Sequence, residues 1–140
     1  MAEAERGPRL FTVEEANRLL PEVGLLLHRL RACRERIRVM EQRRAVEELS
    51  WLREDGAVSP KAQKEVARID QAIEGGALEF KKELETLNRI GVQLKDLEEG
   101  LVDFFAVRGE RLIYLCWKEG EGRIGYWHDM DSGYAGRQLL

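Results

Sequence analysis

The segment from Gly100 to Arg137 constrains the fold most strongly, because its strand-like pattern follows a long run of helical periodicity. Its apolar residues predict the three strands of an antiparallel meander, namely Leu101–Val107, Arg111–Lys118 and Arg123–Asp129. A short turn at Arg108-Gly109 and a four-residue turn at Glu119–Gly122 separate them. The chain is therefore expected to end in a three-stranded sheet and a tail.

A short N-terminal helix and two long helices are predicted before this segment. Thr12 and Glu15 have the spacing of a capping box, so a first helix should begin at Val13. Pro21 removes a backbone donor, which predicts a kink or break near Leu20 and therefore a short, kinked N-terminal helix. The apolar residues that follow have coiled-coil spacing, and Ser59-Pro60 predicts the start of a second long helix.

These elements predict an α+β protein in which a long antiparallel helical hairpin packs on the meander. We expect one domain over residues 1–140, with a helical part at 12–99 and the meander and tail at 100–140. In the hairpin, Gly75 should lie opposite Met40 and Gly24 opposite Gly91. At 140 residues, the chain is long enough for such a core.

Composition narrows the function classes. The formal net charge is only −3, so bulk electrostatics point neither to nucleic acid nor to an anionic membrane. No apolar run is long enough to span a bilayer, and the charged N-terminus does not have the pattern of a signal peptide. The cysteines, Cys33 and Cys116, lie far apart, which favours a reducing cytoplasm.

Strand pairing decides which polar side chains can meet. Pairing Val107 with Glu110 predicts that Asp103 and Cys116 share one face of the sheet. Pairing Lys118 with Arg123 predicts that His128 lies on the opposite face. Cys116 is therefore expected to be a buried, inert thiol rather than a nucleophile with His128 as its base.

Three segments resemble a known family. FTVEEANRLLP near the start, GVQLKDLEEGLVDF in the middle and LIYLCWKEGEGRIGYWHDMDSGYAGRQ at the end are similar to the bacterial domain-of-unknown-function family 2203. The order of the segments matches over essentially the full length. Phe105 and Leu139 depart from the prolines usual in that family. The resemblance implies a compact cytoplasmic prokaryotic protein and supplies no activity.

Chemistry-bearing side chains collect around His128. His128, Asp129 and Asp131 are suitable ligands for a divalent metal. Arg137 could clamp an anion. Asp103 and Glu99 would join the same ligand-binding group if the base of the helical hairpin, Leu94–Gly100, meets the end of the third strand. The alternative is a structural network in which His128 is hydrogen-bonded and the acids cap a turn. No cofactor other than such a metal is expected, and whether the protein is an enzyme stays open.

Three functions follow as hypotheses. The first is a non-enzymatic, homodimeric interaction or scaffold module. Leu112–Trp117 is apolar on both faces, and a second subunit would bury the face that the helical hairpin leaves uncovered, as well as the side chain of Trp51. The second is a small-ligand or metal-binding protein with its site near His128. Enzymatic activity, which stays open, would belong to this second hypothesis. The third, weaker alternative is nucleic-acid binding by the arginine-rich helix at Arg29–Arg44, whose charges the facing helix is expected to neutralise.

Overall fold

The computed structural model describes residues 8–53 and 58–140, which form two helices and five strands. The elements are α1 (Val13–Arg53), α2 (Pro60–Arg89), β1 (Val92–Asp96), β2 (Leu101–Arg108), β3 (Arg111–Lys118), β4 (Tyr126–Asp129), a 3-10 helix (Tyr134–Gly136) and β5 (Gln138–Leu139). The sheet is antiparallel, with the strands in chain order. The α+β class is thus confirmed, whereas the prediction of three strands is wrong.

Both helix starts follow the predicted caps. The backbone N–H of Glu15 donates to the Thr12 hydroxyl at 3.1 Å, and the Thr12 N–H donates to the Glu15 carboxylate at 3.0 Å. At α2 the N–H of Ala62 donates to the Ser59 hydroxyl at 3.1 Å, with Pro60 as the first helical residue. These side chains satisfy N–H groups that no helical carbonyl can reach. The sequence also predicts that the first long helix ends near Asp55-Gly56, where glycine can take the left-handed C-terminal position, but this segment lies outside the described residues.

The predicted short N-terminal helix is wrong, because α1 continues through Pro21. A proline inside a helix costs about 3 kcal/mol. Leu20 and Val23 are both buried beside it. Burying such side chains stabilises by roughly 1.5–3 kcal/mol each. Tertiary burial therefore outweighs the local cost.

The second helix is shorter than predicted. It ends at Arg89, and Gly91 takes the left-handed conformation, with φ at 94°, that redirects the chain into β1. Residues 92–96, expected to be helical, instead form a strand that pairs with β2. With β5 at the other edge, this accounts for the two strands that were not predicted.

The chain divides into two compact units, Met1–His28 with Leu84–Leu140, and Arg29–Glu83. In the first unit, one face of the sheet is an apolar core. The ring of Phe11 packs edge-on against Phe104 at 5.2 Å, and the Phe11 N–H donates to the carbonyl of Phe105. The buried side chains of this face are Val92, Val102, Phe104, Ala106, Ile113, Leu115, Trp117 and Trp127.

In the second unit, ion pairs connect α1 and α2 in antiparallel order. Arg29 lies 4.0 Å from Glu83, Arg36 2.5 Å from Glu79, and Arg44 2.7 Å from Asp70. A Cβ atom at Gly76 would lie 2.8 Å from Cγ1 of Ile37. The pairing is therefore shifted by about two residues from the predicted one, which placed Gly75 opposite Met40.

Candidate functional site

The other face of the sheet is polar and aromatic, and it carries the chemistry. Residues directly opposite each other in an antiparallel pair point to the same face. Asp103 on β2 lies opposite Cys116 on β3, and Tyr114 on β3 lies opposite His128 on β4. Asp103, Cys116 and His128 thus converge on one face, and all three are buried.

His128 and Asp103 form a buried pair. The Nε2 atom of His128 lies 3.0 Å from each carboxylate oxygen of Asp103, and Nδ1 lies 2.7 Å from the backbone carbonyl of Asp129. A carbonyl only accepts hydrogen bonds, so Nδ1 carries a proton. A carboxylate also only accepts, so a further proton must lie between Nε2 and Asp103. The pair therefore holds one shared proton out of contact with water.

Burial dominates the acid–base behaviour of Asp103 and Cys116. It raises the pKa of Asp103, although the neighbouring His128 acts to lower it. Burial, together with the charge of Asp103, raises the pKa of the Cys116 thiol to about 11. Cys116 is accordingly a protonated thiol near neutral pH, and thiolate chemistry there requires a cation that replaces its proton.

The three side chains have the composition of a metal-binding set. One donor atom from each of Asp103, Cys116 and His128 lies within 4.8 Å of the other two. Among residues 8–53 and 58–140, these are the three His, Cys, Asp or Glu side chains that lie close enough together to hold a metal ion. With Nδ1–H held by a carbonyl, Nε2 is the nitrogen directed at the cluster. A metal-bound histidine commonly donates its other ring N–H to a carbonyl or a carboxylate in this way.

A Cys–His–Asp catalytic triad does not fit the same geometry. In a triad the histidine uses one ring nitrogen for the acid and the other for the nucleophile. Here the two nitrogens of His128 are engaged by the Asp129 carbonyl and the Asp103 carboxylate. Neither is available to take a proton from Cys116.

Arg137 borders the cluster. Its Nη1 atom lies 3.9 Å from Sγ of Cys116 and 3.2 Å from the Glu121 carboxylate, which also accepts from Nη2. The guanidinium carbon lies 3.7 Å from the ring centre of Tyr126 and 4.5 Å from that of Tyr134. Burial acts to raise the pKa of Glu121, but the hydrogen bonds from Arg137 and the Lys118 backbone lower it overall.

The other predicted site residues lie elsewhere. The carboxylate of Asp129 pairs with Arg111, and Asp129 lies opposite Ile113 on the apolar face. Asp131 is exposed after the end of β4, and Glu99 pairs with Lys118 at 3.1 Å. Of the six residues predicted for the site, Asp103 and His128 are in direct contact, and Arg137 approaches the cluster through Cys116.

The sequence prediction did not include Cys116 in the site, because the β3–β4 register differs by one residue from the predicted one. Tyr114 pairs with His128, not with Trp127, and a shift of one residue moves every side chain of β4 to the other face. The prediction that Cys116 and His128 lie on opposite faces is therefore wrong. The β2–β3 register differs by two residues, which leaves Asp103 and Cys116 on one face, as predicted.

Comparison with known proteins identifies the family. Within the described residues, no helix is both long and apolar enough to cross a membrane. No curated protein and no solved structure matches the chain. The model of the family described as an uncharacterized conserved protein, DUF2203, matches residues 9–140. The match covers nearly the whole sequence, so the chain belongs to the DUF2203 family.

Proposed function

We propose that this protein binds a divalent transition-metal ion through Asp103, Cys116 and His128. The observation that carries the proposal is the buried convergence of a carboxylate, a thiol and an imidazole within 4.8 Å. Mixed oxygen, sulfur and nitrogen donors suit Zn²⁺ and its neighbours rather than Mg²⁺ or Ca²⁺.

Charge balance supports the same ligands. A divalent cation would replace the proton shared by His128 and Asp103 and the thiol proton of Cys116. The resulting set, one carboxylate, one thiolate and a neutral imidazole around a 2+ ion, has no net charge. Neutrality matters because an uncompensated charge is costly in a buried site. Three protein donors would leave a coordination position open, as in catalytic zinc sites.

Cobalt titration of the chelator-treated protein tests the proposal. We expect one Co²⁺ per chain, a thiolate-to-cobalt charge-transfer band, and release of about two protons per ion near neutral pH. Cys116→Ser should abolish the band. Cys33→Ser is the matched control, since Cys33 is the other buried cysteine and lies in the second unit. Absence of the band in the unaltered protein, or its retention in Cys116→Ser, would refute the proposal.

A second function, a homodimeric interaction module, is favoured by one observation in the second unit. Val39, Val46 and Leu49 on α1 are 39%, 65% and 62% exposed. Their steps of seven and three residues place them on one side of the helix, with the spacing of a coiled-coil seam. We propose that this exposed stripe packs against the same stripe of a second copy, as a two-fold dimer requires.

Light scattering at low micromolar concentration tests the dimer. The unaltered protein should have twice the chain mass, and Val46→Glu with Leu49→Glu should have the mass of one chain. Glu41→Gln is the control, because Glu41 is exposed on the same helix and lies outside the stripe. A monomer in the unaltered protein would contradict the proposal.

Nucleic-acid binding through Arg29–Arg44 is not proposed. Ion pairs with acidic side chains are formed there by Arg29, Arg36, Arg38, Arg43 and Arg44. Such exposed pairs contribute little to stability individually. They do reduce the positive potential available to a phosphate backbone.

A further inference from the structure

Residues 133–140, here called the strap, are mostly exposed although they border a buried site. The 3-10 helix at Tyr134–Gly136 has no buried residue, and Gln138 and Leu139 of β5 are both exposed. Cys116, by contrast, has no solvent-accessible surface. A thin segment therefore lies next to a thiol that water does not reach.

One side chain of the strap reaches Cys116, and it is Arg137. The Arg137 side chain is only 14% exposed, and its partner Glu121 is 23% exposed. The guanidinium contacts both the Tyr126 ring and the Cys116 sulfur. Two parallel hydrogen bonds to a carboxylate fix both the position and the orientation of a guanidinium. Arg137 thus fastens the strap at the point nearest to the cluster.

The remaining attachments of the strap are few. They include the β4–β5 pairs Tyr126–Leu139 and Trp127–Gln138, the Leu140 N–H that donates to the carbonyl of Gly125 at 3.0 Å, and Lys118 Nζ at 5.7 Å from the Tyr134 ring centre. A segment with little buried apolar surface and few backbone hydrogen bonds to the sheet opens locally at far lower free energy than the whole protein unfolds. The strap can therefore detach while the apolar face of the sheet stays intact.

We propose that the strap is the gate of the Asp103–Cys116–His128 site, and that breaking the Arg137–Glu121 pair opens it. The inference rests on the proposed function for the identity of the ligand, a metal ion, but access to the thiol can be measured without any metal. Opening exposes Cys116 to small solutes, and closing covers it again with the guanidinium. The rates of entry and release would then follow the strap rather than the ligand bonds.

Alkylation of Cys116 by iodoacetamide in metal-free Cys33→Ser protein tests the gate. Cys116 is then the only thiol, and its labelling should be slow. Glu121→Gln keeps an oxygen for the Lys118 N–H but removes the charge that holds Arg137. It should speed labelling by about tenfold or more, the effect of losing a charged hydrogen bond. Removal of Gln138–Leu140 should do the same.

Arg111→Gln is the matched control. It breaks the Arg111–Asp129 pair in the same sheet but touches no strap residue, so the labelling rate should not change. Equal rates in Glu121→Gln, the truncated protein and the Cys33→Ser parent would overturn the gate. So would acceleration by Arg111→Gln equal to that by Glu121→Gln, because labelling would then report general loosening.

The outcomes separate the two proposals. If labelling accelerates as expected and cobalt does not bind, the gate stands and the metal site fails. If cobalt binds and labelling does not respond to the strap, the metal site stands and the gate fails. In addition, Glu121→Gln should take up Co²⁺ faster than the unaltered protein, by a factor similar to that for alkylation.

Discussion

The imidazole of His128 lies 3.0 Å from both carboxylate oxygens of Asp103, across the strand that separates them in the sheet. Asp103 is on β2 and His128 on β4, so β3 passes between them and contributes Cys116 and Tyr114 to the same face. The Tyr114 ring lies 5.3 Å from the His128 ring, and its hydroxyl donates to Gln93 at 3.1 Å. Four adjacent strands thus support one buried pair.

Removal of His128 should make stability depend on the protonation of Asp103. His128→Ala leaves a buried carboxylate unpaired, which costs about 3–5 kcal/mol when one partner of a buried pair is lost. Burial holds the folded pKa of Asp103 above its ordinary value of 3.8. A raised folded pKa means that the folded state binds the proton more tightly, so stability falls as pH rises from 3.8 through the raised value.

The measurement is the free energy of urea unfolding between about pH 4 and about pH 8. His128→Ala should lose stability across this range. The control is Asp103→Asn combined with His128→Ala, in which the titrating carboxyl is absent. A difference between the two variants that does not change with pH would contradict the prediction.

Cys116 predicts a second pH dependence, at alkaline pH. Its pKa is raised from 9.0 to about 11, so the folded state keeps a proton that the unfolded state releases. Stability associated with Cys116 should be complete below pH 9 and fall between pH 9 and 11, by about 2–3 kcal/mol.

The comparison is Cys33→Ser against Cys33→Ser with Cys116→Ala. The Cys33 background is needed because burial also raises the pKa of Cys33. Only the protein that retains Cys116 should show this extra loss of stability. Parallel curves for the two proteins would show that the Cys116 thiol does not contribute.

The helix starts could be predicted from sequence because each depends on a few adjacent residues. Thr12 with Glu15, and Ser59 before Pro60, form local hydrogen bonds and backbone restrictions that the spacing alone specifies. The strands β2 and β3 were also predictable, because their apolar residues form an extended run between glycine turns. In each case the determining interactions lie close together in the chain.

The edge strands could not be predicted in this way. Leu87, Gly91 and Leu94 continue a three-and-four spacing that is typical of a helix, although the chain has already turned at Gly91. Residues 92–96 form a strand because they pair with β2, which is a tertiary interaction. Such pairing overrides local pattern, and a strand of five residues carries little signal of its own.

The site depends on a register that the turn does not specify. A four-residue turn between Lys118 and Arg123 was predicted, but residues 122–125 lie outside the strands and β4 begins at Tyr126. Because the side-chain period of a strand is two, this one-residue difference decides whether His128 meets Asp103 or lies on the apolar face. Only the tertiary structure shows that Cys116 lies on the same face of the sheet as Asp103 and His128.

Asn17 should be important for the attachment of α1 within the first unit. Its Oδ1 atom accepts the backbone N–H of Ile124 at 2.8 Å, and Ile124 is buried. Asn17→Ala leaves that N–H without its partner, at a cost of about 1–3 kcal/mol. Arg18→Ala, at the exposed neighbouring position, should change the free energy of unfolding by no more than about 0.5 kcal/mol. Equal effects of the two substitutions would contradict this role.

The adjacent glycines of α2 should respond to alanine in opposite directions. A Cβ atom at Gly75 has nothing within 4 Å, whereas at Gly76 it would lie 2.8 Å from Cγ1 of Ile37. Gly75→Ala should therefore stabilise by about 0.5–1 kcal/mol, the ordinary gain from replacing glycine inside a helix. Gly76→Ala gains the same helix propensity but meets Ile37, and overpacking of this kind typically costs about 1–3 kcal/mol.

Thermal or urea unfolding of both variants measures the difference, and Ile37→Ala supplies the decisive comparison. In an Ile37→Ala background the obstructing atom is gone, so Gly76→Ala should become as favourable as Gly75→Ala. This reversal is expected only if Ile37 and Gly76 face each other, as the antiparallel ion pairs of the second unit require. Stabilisation by Gly76→Ala in the unaltered background, equal to that by Gly75→Ala, would show that the two helices do not pair in this register.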